Sequence, residues 1–219
     1  MAGLGIGPEQ FALFCIADPD QRARALEDTL VPVMLRLGGE LASGLSRVVG
    51  TSLTPEAGRL VRRRDEPPEE VLVAFYAGER GYRSAPHLAL VVSRAHLHAR
   101  VAARAAADRG GGMRRALLRE AHNLARKGKP FRKVRSYSGW DHEVLPELAP
   151  AHSAAFWCEL ADMLASPAGA GGLDVGVAWP AEEARSLAVG DVLGVFRDLA
   201  PLYKLLAAGA MAPAAHPAP

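Results

Sequence analysis

Two short runs of apolar, β-branched and aromatic residues constrain this chain most. Val71, Leu72, Val73, Ala74, Phe75 and Tyr76 form the first, and Leu88, Ala89, Leu90, Val91 and Val92 the second. Runs of this composition and length read as strands. Between them lie Gly78, Gly81, Ser84 and Pro86, residue types that favour turns. Two strands joined by a loop of this length predict an antiparallel pair.

Helical patterns surround the pair. Residues 8–11 read as a short helical turn, and the apolar stretch 11–16 as a strand. Asp18 and Asp20 form a cap-like cluster. Ala25, Leu26, Leu30, Val33, Met34 and Leu37 then recur near every third or fourth position, predicting an amphipathic helix. Pro32 is expected to kink it, and Gly38 with Gly39 to separate it from a second helical piece ending near Val49. Residues 59–64 read as a strand ended by Pro67 and Pro68. Residues 94–108 read as a helix, ended by Gly110, Gly111 and Gly112. Residues 113–126 form another, with Leu117, Leu118, Ala121 and Leu124 on one side. A strand over 131–137, a loop over 136–150 and a helix over 152–164 follow. A loop over 167–172, an alternating strand over 173–179 and a last helix over 189–208 complete the pattern. Helices around short strands with hairpin-like links indicate an α+β fold in one domain, residues 1–212. The Ala- and Pro-rich tail, 213–219, has nothing to bury and is expected to be disordered.

Composition excludes several classes. With 49% hydrophobic and 23% charged residues over 219 positions, the chain can bury a core and is not a disordered polymer. Cys15 and Cys158 lie far apart in apolar surroundings, which is neither a disulfide scaffold nor a four-thiolate zinc site. Residues 1–7 carry no basic residue ahead of their apolar ones, so no secretory leader is read there. No run of about 18 apolar residues occurs, so no membrane span is expected. A cytoplasmic protein without a membrane partner is the resulting expectation.

The net charge of +2 hides a strong asymmetry. Residues 100–135 hold twelve basic and two acidic side chains, a segment charge of +10, against −8 for the remainder. On the expected helix, Arg115, Arg119, His122 and Arg126 fall in one stripe. Lys127, Lys129, Arg132, Lys133 and Arg135 continue the run. Such a patch suits phosphate, nucleotide or nucleic acid, although charge runs are more often a solvated surface. No aromatic residue alternates with the basic ones inside the helix, so a single-strand stacking platform is not supported.

Familiar catalytic signatures are missing. Gly3, Gly5 and Gly7 follow no strand and do not make a dinucleotide fingerprint. Gly128-Lys129 lacks the upstream glycine of a phosphate loop. There is no G-x-S-x-G elbow and no H-E-x-x-H. His96-x-His98 is a weak metal pair, because on a helix the two rings diverge. No metal-ligand set and no cofactor signature is assigned.

Three constellations remain. Arg62-Arg63-Arg64 precedes Asp65-Glu66-Pro67-Pro68; guanidiniums there suit a carboxylate or phosphate, or pair locally with the neighbouring acids. Arg80-Gly81-Tyr82-Arg83-Ser84-Ala85-Pro86-His87 leads into the second strand. His87 then stands at the strand's first position, where an imidazole either faces a cleft or simply packs. Ser138-Gly139-Trp140-Asp141-His142 places a carboxylate beside an imidazole on a loop. Adjacent residues rarely orient each other, so Asp141 would act on another group such as His87 or an arginine.

These clusters, in this order, resemble the uncharacterised YktB-like family of small bacterial proteins. That family's pattern has paired arginines before Asn-Pro-Pro, then a Trp- or Val-rich strand. Arg-Gly-Tyr-Lys, two variable residues, Pro-His-Phe and a later Asp-His pair follow. The matching residues here are Arg62-Arg63 with Pro67-Pro68, the strand at 71–75, Arg80-Gly81-Tyr82-Arg83 with Pro86-His87-Leu88, and Asp141-His142. The resemblance runs from about Glu9 to Ala208 and implies a central, largely antiparallel sheet flanked by helices. It implies no activity. Glu66 stands where the pattern has Asn, and Gly58-Arg59-Leu60-Val61 stands where the family carries histidines.

The favoured expectation is an enzyme or ligand-binding protein for an anionic small molecule. Arg62, Arg63, Arg80 and Arg83 would bind the carboxylate or phosphate, and Tyr82 would donate a hydrogen bond. His87, with Asp141 or His142, would carry any acid–base step. A nucleic-acid-binding or regulatory module using 100–135 is the alternative. Metal or haem binding through His87, Asp141, His142 or His122 is the third. The sequence leaves the reaction, the cofactor and the oligomeric state open.

Overall fold

The structure, a computed structural model, describes residues 3–58, 68–108, 110–127, 135–136, 153–165 and 172–212. Its centre is a six-stranded sheet in the order β1-β2-β3-β4-β6-β5. The strands are β1 (Thr54–Ala57), β2 (Glu70–Tyr76), β3 (His87–Ser93), β4 (His96–Arg104), β5 (Arg135–Ser136) and β6 (Gly172–Pro180). Every neighbouring pair is antiparallel. The predicted pair is β2 and β3, with Val73 opposite Leu90. The fold is therefore α+β around an antiparallel sheet, as the strand runs and the resemblance both implied.

One sheet face is apolar. Val71, Val73, Phe75, Leu88, Leu90, Val92, Leu97, Val101, Leu173 and Val175 alternate along their strands and are buried. Among the described residues, three helices cover this face: α3 (Val31–Val49) over β1 and β2, α5 (Ala154–Leu164) beside β6, and α7 (Val189–Met211) over β3 and β4. Met34, Leu37, Leu41 and Leu45 form the buried stripe of α3 and contribute roughly 1.5–3 kcal/mol each. Helix α4 (Gly112–Arg126) packs outside this layer, against α5 and α7. Asp108 accepts hydrogen bonds from the N–H groups of Met113 (2.9 Å) and Arg114 (3.0 Å), satisfying two donors that the first turn of α4 leaves open. The described residues also form short helices α1 (Pro8–Ala12), α2 (Pro19–Ala25) and α6 (Ala181–Ala184). Among the described residues, no helix is long and apolar enough to cross a membrane.

Several expectations are corrected. Residues 94–108 do not form a helix: Arg94 and Ala95 turn the chain, and β4 runs from His96 to Arg104. Its alanines and arginines favour a helix locally, but β4 is hydrogen-bonded on both sides, by β3 and β6, and tertiary pairing overrides propensity. Residues 11–16 form no strand. Phe11 ends in α1 and Phe14 lies in a 3₁₀ turn, Leu13–Cys15. The two rings are buried at a spacing of three, which is helical periodicity. Gly38 and Gly39 do not interrupt α3, and Pro32 sits in its first turn after a π-helical turn, Leu26–Leu30. A Cβ on Gly38 would stand 2.8 Å from Val73 Cγ2, so glycine there lets α3 settle onto β2. The expected strand over 59–64 and the tail over 213–219 lie outside the described residues, as does most of 131–150.

Candidate functional site

The second sheet face carries polar and ionisable side chains at alternating positions. Glu70, Tyr76, His87, Ser93, His98, Arg100, Arg104 and Asp174 all fall on it by register. Burying such groups costs free energy unless each is paired. At its centre is Arg100, 3% exposed. Its guanidinium pairs with Glu70 Oε2 and Asp174 Oδ2, each at 2.8 Å. β6 approaches closely here. Gly176 lies opposite Arg100, and a Cβ on it would stand 2.1 Å from the Ala99 carbonyl oxygen and 2.6 Å from Arg100 Cβ.

His87 occupies the first position of β3, as the sequence predicts, and is 5% exposed. It stands opposite Ala102, so Arg100 and Arg104 are its diagonal neighbours on the same face. Gly81 adopts a positive φ of 79° and opens a 3₁₀ turn, Tyr82–Ser84, which packs against β2 and β4. Gly tolerates that backbone without strain. The turn brings the Tyr82 ring edge-on to His87, with centroids 5.1 Å apart. Tyr82 also packs with Ala74, Tyr76 and Leu72. Arg83 lies over the Tyr82 ring, its Cζ 5.7 Å from the centroid, at the outer reach of a cation–π contact.

The electrostatics of His87 follow from this placement. Burial pushes its pKa down to about 4; the Ala85 carbonyl opposes that, and the Arg100 and Arg104 guanidiniums add to it. Nδ1 lies 3.1 Å from the Ala85 carbonyl oxygen, which can only accept, so Nδ1 carries the proton of the neutral ring. The Tyr82 carbonyl also accepts from the ring and, like that of Ala85, works against the effect of burial. At neutral pH this is an uncharged imidazole, with the Arg104 guanidinium and the Arg100–Glu70–Asp174 group as its diagonal neighbours. Nearby, Tyr76 donates to the Glu56 carboxylate, and this bond holds the phenol above its usual range.

The structure thus brings together Tyr82, Arg83 and His87 from the predicted set. Arg80 is exposed on the loop just before the turn. Arg62, Arg63, Asp141 and His142 lie outside the described residues. Arg100 and Arg104 were missed as partners of His87 because their segment reads as a helix; the alternation His96, His98, Arg100 against Leu97, Ala99, Val101 is the pattern that identifies a strand. The same change of element revises the His96-x-His98 pair. Both rings share one face, with centroids 5.7 Å apart, and His98 Nε2 lies 3.1 Å from Ser93 Oγ. Among the described residues, no group of three or more His, Cys, Asp or Glu side chains is placed to hold a metal ion.

Comparison with known proteins gives a family and no activity. A family model described as a domain of unknown function (DUF1054) matches residues 7–165. A UPF0637 protein of Bacillus licheniformis is 32% identical over 97 residues, covering 44% of this chain and 46% of the relative. One from Lysinibacillus sphaericus is 34% identical over 89 residues, 41% of this chain and 42% of the relative. One from Staphylococcus saprophyticus is 32% identical over 80 residues, 36% and 39%. The chain spans less than half the length of each of these curated relatives.

Proposed function

The chain belongs to the DUF1054 family of unknown function, and we propose that it binds an anionic small molecule, bearing a carboxylate or phosphate, beside His87. The observation that carries this reading is a buried neutral imidazole with two guanidiniums as its diagonal neighbours. Arg100 is paired with two carboxylates, Glu70 and Asp174, a group of net charge −1, so the anion falls to Arg104 and Arg83, both exposed at the same end of the sheet. Arg80, Arg62 and Arg63 are the further arginines assigned to it from the sequence, and Tyr82 supplies a hydroxyl. A ligand held this way and carrying its own O–H or N–H would present that proton to the His87 ring, which is the arrangement for general-base chemistry. Asp141 and His142 remain the proposed partners of that step.

The test is an NMR titration of the full chain with inorganic phosphate and with small dicarboxylates, following the His87 ring resonances. An added negative charge raises the His87 pKa, so its titration should move upward from about 4. Arg104→Ala and Arg83→Ala should each weaken binding about tenfold, or roughly 1.4 kcal/mol. If none of these anions at millimolar concentration shifts His87, or if R104A binds as well as the parent, the reading is wrong.

A further inference from the structure

Helix α4 carries a second basic feature that the His87 site does not use. Arg115, Arg119, His122 and Arg126 are all exposed, and Lys127 extends them at the helix end. Their spacing of four, three and four residues puts them on one side, one per turn. The opposite side, through Met113, Ala116, Leu117, Ala121 and Leu124, is buried against α5 and α7. Because α5 and α7 cover the apolar sheet face, the stripe lies on the helix side of the molecule and His87 on the other.

The charge on this helix is one-sided. Residues 112–127 contain five basic side chains and one acid, Glu120. Glu120 is engaged locally by Asn123 Nδ2 at 2.8 Å and by Arg119 Nε at 3.4 Å, and these partners hold its carboxyl below the usual range. Arg114, off the stripe, pairs with Asp162. The stripe spans about 16 Å along the helix axis. Side chains set one turn apart along a line do not converge on a compact anion. They suit a linear polyanion with regularly spaced charges.

The helix offers no Phe, Tyr or Trp among the cations, so it lacks the aromatic stacking platform of single-strand binders, which favours a duplex. Leu118, 37% exposed, is the one large apolar side chain exposed on this helix. That is too little apolar area to seat a helix in a lipid surface. We propose that the exposed face of α4 binds the phosphate backbone of a nucleic-acid duplex, without reading its bases.

Fluorescence anisotropy of a labelled DNA duplex of about 20 base pairs, titrated with the full chain, tests this. Arg115, Arg119, Arg126 and Lys127 predict a log–log salt slope of about −3.6, an affinity loss of roughly 150-fold between about 50 and 200 mM salt. In Arg119→Gln/Arg126→Gln the slope should flatten to about −1.8 and the loss to roughly 12-fold, with thermal unfolding unchanged. Arg94→Gln, in the exposed turn between β3 and β4, should leave the slope as it is. Absence of binding at low salt overturns the proposal, as does an unchanged slope in the double variant or a strict dependence on base sequence. Equal affinity for vesicles containing phosphatidylserine, or salt-sensitive self-association without duplex binding, also overturns it.

Discussion

Arg100 and Arg119 belong to the same basic stretch of sequence, and the fold gives them opposite circumstances. Arg100 is on a central strand, almost without solvent contact, held between Glu70 and Asp174. Arg119 is on an outer helix, exposed, with a weak contact to its neighbour Glu120 at 3.4 Å. A charge run is therefore not one physical object. A guanidinium in a low-dielectric interior is bound to its counter-charges and works as part of the fold. One at the surface is screened, adds little to stability and is available to a partner.

Stability measurements sharpen this contrast, and the largest effect is expected at Arg100. Arg100→Ala leaves two partly buried carboxylates without their cation and should lower the unfolding free energy by about 3–5 kcal/mol, measured by urea denaturation. A loss below about 1 kcal/mol would mean the two carboxylates are already well solvated. The next effect is a pH dependence at His87. The unfolded chain takes up this proton below about pH 6.5, and the folded protein only near pH 4. The unfolded state therefore binds more protons across that window, and stability falls as pH drops through it, by about 3 kcal/mol in total. Denaturation of the parent and of His87→Gln between pH 7 and 4 isolates this contribution, since the variant should lack it.

Gly176→Ala should cost about 2 kcal/mol, because its Cβ collides with the backbone of Ala99 and with Arg100. If it is neutral, β4 and β6 can separate without cost and the pairing of Arg100 with Glu70 and Asp174 does not depend on their close approach. The smallest effect is expected at the surface. Arg119→Ala should change stability by no more than about 0.5 kcal/mol. A larger loss would erase the distinction between the two arginines.

Much of the scaffold was legible from residues alone. The runs at 71–76 and 88–92 became β2 and β3, and alternation over 173–179 became β6. The three-and-four spacing through Val33, Met34 and Leu37 marked the first half of α3, though not its continuation through Gly38 and Gly39, and the glycines before α4 marked its start. In the candidate site, the grouping of Tyr82, Arg83 and His87 was readable because a turn and a strand start are local features. Arg100 and Arg104 were not, because alanine and arginine favour a helix when counted along the chain, while β4 is decided by two neighbours distant in sequence.

Local chemistry by itself determined where strands and helices could form, that Gly81 and Pro86 would deliver His87 to the head of a strand, and that one helix would carry a basic stripe. These follow from short-range sterics and periodicity. Tertiary packing alone set the pairing of Arg100 with Glu70 and Asp174, the place of Arg104 beside His87, and the position of the stripe across the molecule from both. Register between strands sets those meetings, and register is fixed by burying one apolar face across the whole sheet, a condition no single segment contains.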